Sequence, residues 1–293
     1  MPTNARSERA IELIRELSGS LHVLPGDRLE DAGIDSLGLA ELAAALEREV
    51  GVDLADARPL DADSTVAEVL TAVDALLPEP ATRIPFGTGG LQGFAAATGG
   101  WVLRWWFRLR IEGASNLPRS GPVVIAMNHE SALDIPLIVV ACPRRIVFMA
   151  KRELFKNALL SWRLRVLGGF HVDRNRFDLR AVRTALSVLR SGRVLGMYPE
   201  GTRHPGELLP FLEGAAWIAL MTGAWIVPCS ISGTDRTHEA RRPGAVEVRI
   251  SFAPAIAVER IDDAAERRDR AVAITAEVRT AIERRIVRGT VTR

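Results

Sequence analysis

A histidine followed five residues later by an aspartate, in Asn128-His-Glu-Ser-Ala-Leu-Asp134, is a pairing that can move a proton. Imidazole changes charge near neutral pH, and a carboxylate on its second nitrogen fixes the tautomer and stabilises the imidazolium. By spacing alone such a pair is more often structural than catalytic. A second block, Tyr198-Pro-Glu-Gly-Thr-Arg203, sets a carboxylate, a glycine and a guanidinium on one loop, where a plain turn with an exposed ion pair is the simpler alternative. Arginine suits bidentate phosphate binding, and glycine lets a backbone approach a ligand closely. Gly168-Gly-Phe-His-Val-Asp-Arg174 supplies a further arginine, and Ile226-Val-Pro-Cys-Ser-Ile231 closes the series. Far upstream, Ser36 stands at a helix start in Asp31-Ala-Gly-Ile-Asp-Ser-Leu37. A phosphodiester there would face unpaired backbone N–H groups and the positive end of the helix dipole, whereas capping by Asp35 and Ser36 is the commoner use of such residues.

The elements that position these groups follow from periodicity. Apolar residues recur at helical spacing in three runs between Glu8 and Leu77: Ile11, Ile14 and Leu17; Leu39, Leu42, Leu46 and Val50; Val66, Val69, Leu70 and Val73. They predict a small helical bundle, with Asp63 or Ser64 capping the last helix and Glu68 in its first turns. Residues 79–100, rich in Gly and Pro without a sustained period, read as a flexible linker. Beyond it, short β-rich runs (Val123 to Met127, Arg145 to Phe148, Phe170 to Val172, Val194 to Tyr198, Trp225 to Ile231, Val246 to Phe252) alternate with helical stretches such as Leu179 to Leu189. Alternation of this kind argues an α/β layer structure with a mainly parallel sheet flanked by helices. Ile274, Val278, Ile282 and Ile286 mark a C-terminal amphipathic helix, and Asp262, Asp263 and Glu266 at its start read as cap and dipole partners rather than metal ligands. No metal is expected.

Charge divides as the elements do. Of 293 residues with a formal net charge of +2, those up to Pro80 carry 6 basic and 17 acidic side chains, and the rest carry 32 and 19. The halves are thus a formal −11 and +13, a segregation that implies two domains with different partners. Only Lys151 and Lys156 are lysines; every other basic residue is arginine. Cys142 and Cys229 make no disulfide framework and lie in apolar runs, which suits a reducing, cytoplasmic compartment and buried, inert thiols. No G-x-S-x-G nucleophile elbow occurs, and no segment has the length of a membrane span. Trp101, Trp105, Trp106 and Phe107 interleave with Arg104, Arg108 and Arg110, a composition suited either to a core helix or to a membrane interface rich in anionic lipid.

Two resemblances rest on these residues. Residues 5–77, with Gly33-Ile-Asp-Ser-Leu37, are similar to acyl carrier proteins, a four-helix bundle. The likeness implies a 4'-phosphopantetheine arm on Ser36 that holds an acyl thioester, a phosphopantetheinyl transferase and an acyl-loading enzyme as partners, and an acidic second helix (Glu41, Glu47, Glu49) that docks on arginines. Residues 101–260 resemble the glycerolipid acyltransferases, the family of the 1-acylglycerol-3-phosphate acyltransferases. That likeness implies His129 as the general base and Asp134 as its orienter, with Arg174, Glu200, Gly201 and Arg203 binding a phosphate-bearing acceptor and Pro228 shaping the pocket. The family commonly has a basic residue where Leu212 and Glu213 stand, which opens the alternative of an acceptor without phosphate, such as an amino-lipid or secondary metabolite. The organisation expected is a carrier domain at 1–78, a linker at 79–100 and an acyltransferase-like domain at 101–293. Its expected reaction is transfer from the carrier in cis, or from acyl-coenzyme A, to a lysophospholipid hydroxyl at the inner face of the cell membrane, without nucleic acid as a partner. The remaining alternative is a carrier and docking protein whose second half only binds acyl chains.

Overall fold

The computed structural model describes residues 3–20, 22–52, 54, 60–76, 100–172 and 178–286, and it divides them into two compact units. In the first, α1 (Thr3–Ser18), α2 (Ser36–Glu49) and α3 (Val66–Ala75) each turn one apolar stripe inward. Leu13 and Ile14 of α1, Leu39, Leu42 and Leu46 of α2, and Val66, Val69 and Val73 of α3 share one buried core. Residues 171–184 cluster with this unit, and Leu179 joins its core. Three α-helices are present here among the described residues; 53 and 55–59, on the way from α2 to α3, lie outside them, and the expected fourth helix is not among the described elements. Thr65, rather than Asp63 or Ser64, caps α3: its hydroxyl accepts from the Glu68 N–H at 3.3 Å, and the Glu68 carboxylate accepts from the Thr65 N–H at 2.9 Å. The three-residue spacing from Thr65 to Glu68 makes this reciprocal box possible, while Asp63 pairs with Arg28 and Ser64 bonds Asp61.

The second unit is built on a seven-stranded sheet: β1 (Arg110–Glu112), β2 (Val123–Met127), β3 (Ile146–Lys151), β4 (Gly169–Val172), β5 (Val194–Met197), β6 (Trp225–Ser232) and β7 (Arg249–Phe252). Their order is β1-β7-β6-β2-β5-β3-β4. β2 pairs in parallel with both β5 and β6, β3 with β5 and β1 with β7, whereas β6 and β7 are antiparallel. The mainly parallel expectation therefore holds, with β6 and β7 departing from it. All five residues of β2 are buried, as an unbroken apolar run requires of a strand covered on both faces. Gly196 in β5 is imposed by its neighbour, because a Cβ there would lie 2.6 Å from the Phe148 ring.

Helices accompany the sheet: α4 (100–106), α5 (Asp134–Ala141), α6 (Ala158–Val166), α7 (Leu179–Arg190), of which only 185–190 belong to this unit, α8 (Gly214–Thr222) and α9 (Ala264–Glu283). The expected linker lies outside the described residues except for Gly100, which is helical and belongs to α4. α9 buries Ile274, Val278 and Ile282 but ends before Ile286. Asp263 caps it by accepting from the Glu266 N–H at 2.8 Å, and Asp262 pairs with Arg260. Cys142 and Cys229 are buried, and desolvation pushes the Cys142 thiol up to about 11. From β2 the chain moves toward β3, on the β5 side; from β6 it moves to β7, on the other. Parallel strands whose connections diverge in this way leave a crevice at their C-terminal ends, where ligands bind in open α/β sheets.

Candidate active site

His129 stands two residues past the end of β2, at the mouth of that crevice. Its Nδ1 lies 2.7 Å from Asp134 Oδ2, and the same oxygen accepts from the Glu130 and Ser131 N–H groups at 2.9 Å each. Asp134 is the first residue of α5 and fully buried. The oxygen that accepts from two main-chain N–H groups also accepts from the ring, which sets the imidazole proton on Nδ1. The other ring nitrogen, Nε2, is then the basic one. Tyr198 lies against the ring face, with centroids 4.0 Å apart and planes 23° from parallel.

The main chain of His129 is gripped on both sides by the loop after β5. Its N–H donates to Glu200 Oε1 at 2.9 Å, and its carbonyl accepts from the His204 N–H at 2.9 Å. Glu200 is buried, and its other oxygen accepts from the Leu209 N–H at 2.9 Å. Gly201 takes a positive φ of 68°, favoured by glycine, and a Cβ there would lie 3.2 Å from Leu212 Cδ1. Arg203 is exposed on the same loop, as are Leu212 and Glu213. Pro228 lies buried within β6, opposite Ala126 of β2. The structure thus brings His129, Asp134, Glu200, Gly201 and Arg203 to one edge of the sheet, while Arg174 lies outside the described residues.

Sequence reading assigned no role to three further side chains. Asn128 ties β2 to β6 through both amide atoms, donating to the Ile231 carbonyl and accepting from its N–H, each at 2.8 Å. Tyr198, the chain's single tyrosine, could have been singled out by its place at a strand end beside Glu200. Glu130 receives the Thr234 hydroxyl at 3.3 Å and the Asn128 amide at 3.3 Å. Burial first, then the negative charges of Asp235 and Asp134, push its carboxyl up to about 7. Above its unfolded value of 4.5 the native state holds this proton more tightly than the unfolded chain does, so stability falls as pH rises from about 4.5 to about 7. Glu130→Gln should remove up to about 3 kcal/mol of that loss and be the more stable form above pH 8. All six tryptophans lie between 101 and 225, so denaturation followed by tryptophan fluorescence at several pH values reads the second unit. Parallel pH dependence in wild type and variant would refute the assignment.

In the first unit, Ser36 is exposed as the opening residue of α2. Asp35 does the capping, accepting from the Gly38 N–H at 2.8 Å, so the serine hydroxyl is not needed for it. Of the acidic residues expected to face outward on α2, Glu41 is buried and Glu49 is held by Arg9 and Arg48. α4 divides its aromatics: Trp106 packs on the core, while Trp101 and Trp105 stack on each other and stand 70% and 56% exposed. No helix of the described residues is long and apolar enough to cross a membrane.

Comparison with known proteins gives both units a family. Residues 8–73 match the family model described as a phosphopantetheine attachment site, and residues 108–232 match the model described as an acyltransferase. The chain is 33% identical over 143 residues to a 1-acyl-sn-glycerol-3-phosphate acyltransferase of Bacillus subtilis, covering 48% of this chain and 71% of that one. With the alpha form of that enzyme from Mus musculus it shares 32% identity over 155 residues, 49% of this chain and 53% of the relative. The crystal structure of PlsC, the 1-acyl-sn-glycerophosphate acyltransferase of Thermotoga maritima, aligns with a TM-score of 0.49 at 22% identity, over 94% of this chain and 97% of that one. With a relative 33% identical that it covers over 71% of its length, the chain belongs to the family of the 1-acyl-sn-glycerol-3-phosphate acyltransferases, an O-acyltransferase joined to a phosphopantetheine-attachment domain.

Proposed function

We propose that the protein transfers an acyl chain from a thioester to the hydroxyl of a lysophospholipid such as 1-acylglycerol-3-phosphate, with His129 as general base. The observation that carries this reading is the 2.7 Å contact of His129 Nδ1 with buried Asp134, which leaves Nε2 basic at the crevice. His129 Nε2 takes the proton of the acceptor hydroxyl as its oxygen attacks the thioester carbonyl, and Asp134 stabilises the imidazolium. As the carbon–sulfur bond breaks, His129 returns the proton to the leaving sulfur. A thioester is already activated, so no covalent nucleophile is needed, and positioning does much of the work. Arg203, on its exposed loop, meets the acceptor phosphate together with Arg174, while Glu200 acts by shaping the loop around His129, since both its oxygens are bonded to main-chain N–H groups.

Ser36 suits attachment of a 4'-phosphopantetheine arm, because its hydroxyl is exposed at the positive end of α2 and the cap is supplied by Asp35. The arm would supply the thiol that holds the acyl chain. Delivery runs in cis from the carrier domain, at a cytoplasmic membrane surface that the exposed Trp101 and Trp105 help to meet. A second acceptor reading, an amino-lipid or other group without phosphate, is favoured by one observation: exposed Leu212 stands beside Gly201, followed in the chain by exposed Glu213, where a phosphate would call for cations. Loading Ser36 with a labelled acyl group, offering a panel of lysolipids with and without phosphate monoesters, and identifying the product by mass separates the two. Transfer to none of them would sink the lipid-synthesis reading.

A further inference from the structure

The segment that joins β3 to β4 inverts the burial expected of a surface helix. α6 buries Ser161 with Leu164 and Val166, while Leu159, Leu160 and Trp162 stand 58%, 37% and 57% exposed. A surface helix of a soluble protein ordinarily hides its large apolar residues and shows its serines. The same segment is cationic: Lys151, Arg152, Lys156, Arg163 and Arg165 are exposed, and Glu153 is the one acidic residue between 151 and 166. Both lysines of the chain are here, and lysine keeps its charge in water while its stem lies along apolar surroundings. Exposed leucine and tryptophan interleaved with cations match the boundary layer of a bilayer, where apolar side chains enter below the headgroups and cations stay at the level of the phosphates.

We infer that residues 151–166 form a membrane-docking face for an anionic bilayer, additional to the Trp101 stretch. The inference rests on the reading that the acceptor is a lipid, and it goes further by naming the surface that brings the crevice to it. An acidic protein surface could satisfy the cations, but three large apolar side chains exposed together on one short helix favour lipid.

The test uses the full chain with vesicles of phosphatidylcholine, with and without phosphatidylglycerol, in a flotation assay. Wild type should bind the anionic vesicles and lose binding as salt rises. Leu159→Ser with Trp162→Ser should weaken the partition at least about tenfold, and Lys156→Glu with Arg163→Glu at least about fivefold per cation. Both double variants should transfer acyl groups to a water-soluble, short-chain acceptor as wild type does, since none of the four residues belongs to the loops that carry His129 and Glu200. Trp101→Ser with Trp105→Ser, run alongside, reads the share of α4. Undiminished vesicle binding by both double variants of the 151–166 segment would overturn the inference while leaving the lipid-acceptor reading intact. A loss of transfer from the chain's own loaded Ser36 to the soluble acceptor, with vesicle binding retained, would assign the face to the carrier domain instead. Failure of wild type to bind any vesicle overturns it too, and transfer to dissolved lysolipid would then tell whether the acceptor reading survives.

Discussion

His129→Ala is expected to lower acyl transfer by between about 10² and 10⁴-fold, the range that a positioned general base contributes. The imidazole combines a basic nitrogen with an orienting carboxylate at 2.7 Å and a main chain held on both sides. Removing it leaves the acceptor hydroxyl to be deprotonated by water, while positioning of the two substrates persists. The effect should therefore fall on kcat, with KM for the acceptor nearly unchanged. A short-chain soluble acceptor makes the measurement independent of membrane binding, and far-UV circular dichroism checks the fold. Transfer within about fivefold of wild type would remove His129 from the proton path. The same variant addresses the alternative in which the second unit only binds acyl chains: a binding protein would behave alike with and without the imidazole, whereas an enzyme loses turnover and keeps its ligand.

Much of this arrangement can be read in the sequence because it follows from strand periodicity and residue chemistry. The run Val123 to Met127 is continuous and apolar because β2 is covered on both faces, and the end of that run marks His129 as lying at a strand end. Three features escape such reading for physical reasons. β1 has three residues, Arg110 to Glu112, too few to show a period, and it takes its pairing from β7. The cap of α3 depends on which of three adjacent polar residues stands three before Glu68, a difference of one position. Glu130 looks like an ordinary solvated carboxylate until the fold sets Thr234, Asp235 and Asp134 around it, contacts that join β2 and β6 across about a hundred residues of chain. α6 shows the reverse problem: apolar residues at helical spacing read as core, and only the fold reveals Leu159 and Trp162 on the outside.

Ser36→Ala should abolish transfer that depends on loading of the carrier, while leaving transfer from acyl-coenzyme A at its wild-type rate. On the proposed reading the serine hydroxyl is the attachment point, and alanine offers none; the helix itself keeps its cap, because Asp35 and not Ser36 accepts from the Gly38 N–H. The variant carrier should therefore remain folded, which thermal melting would check. The size of the effect follows from the tether. If the segment expected to join the domains behaves as a flexible coil, its root-mean-square span is roughly 25 Å, and it would hold a donor near the crevice at an effective concentration on the order of millimolar. Against free acyl-coenzyme A at about 10 μM, loss of the tethered donor corresponds to about a hundredfold drop in flux. Opposite charge adds to the tether: the first 80 residues carry a formal −11 and the rest +13, so encounter with a carrier supplied on another molecule should weaken steeply with salt, and with the chain's own carrier only slightly. Full activity of Ser36→Ala in an assay where the acyl group enters only through the phosphopantetheine arm would refute delivery in cis. Equal salt sensitivity of the two routes would show that the linker does not shorten the search.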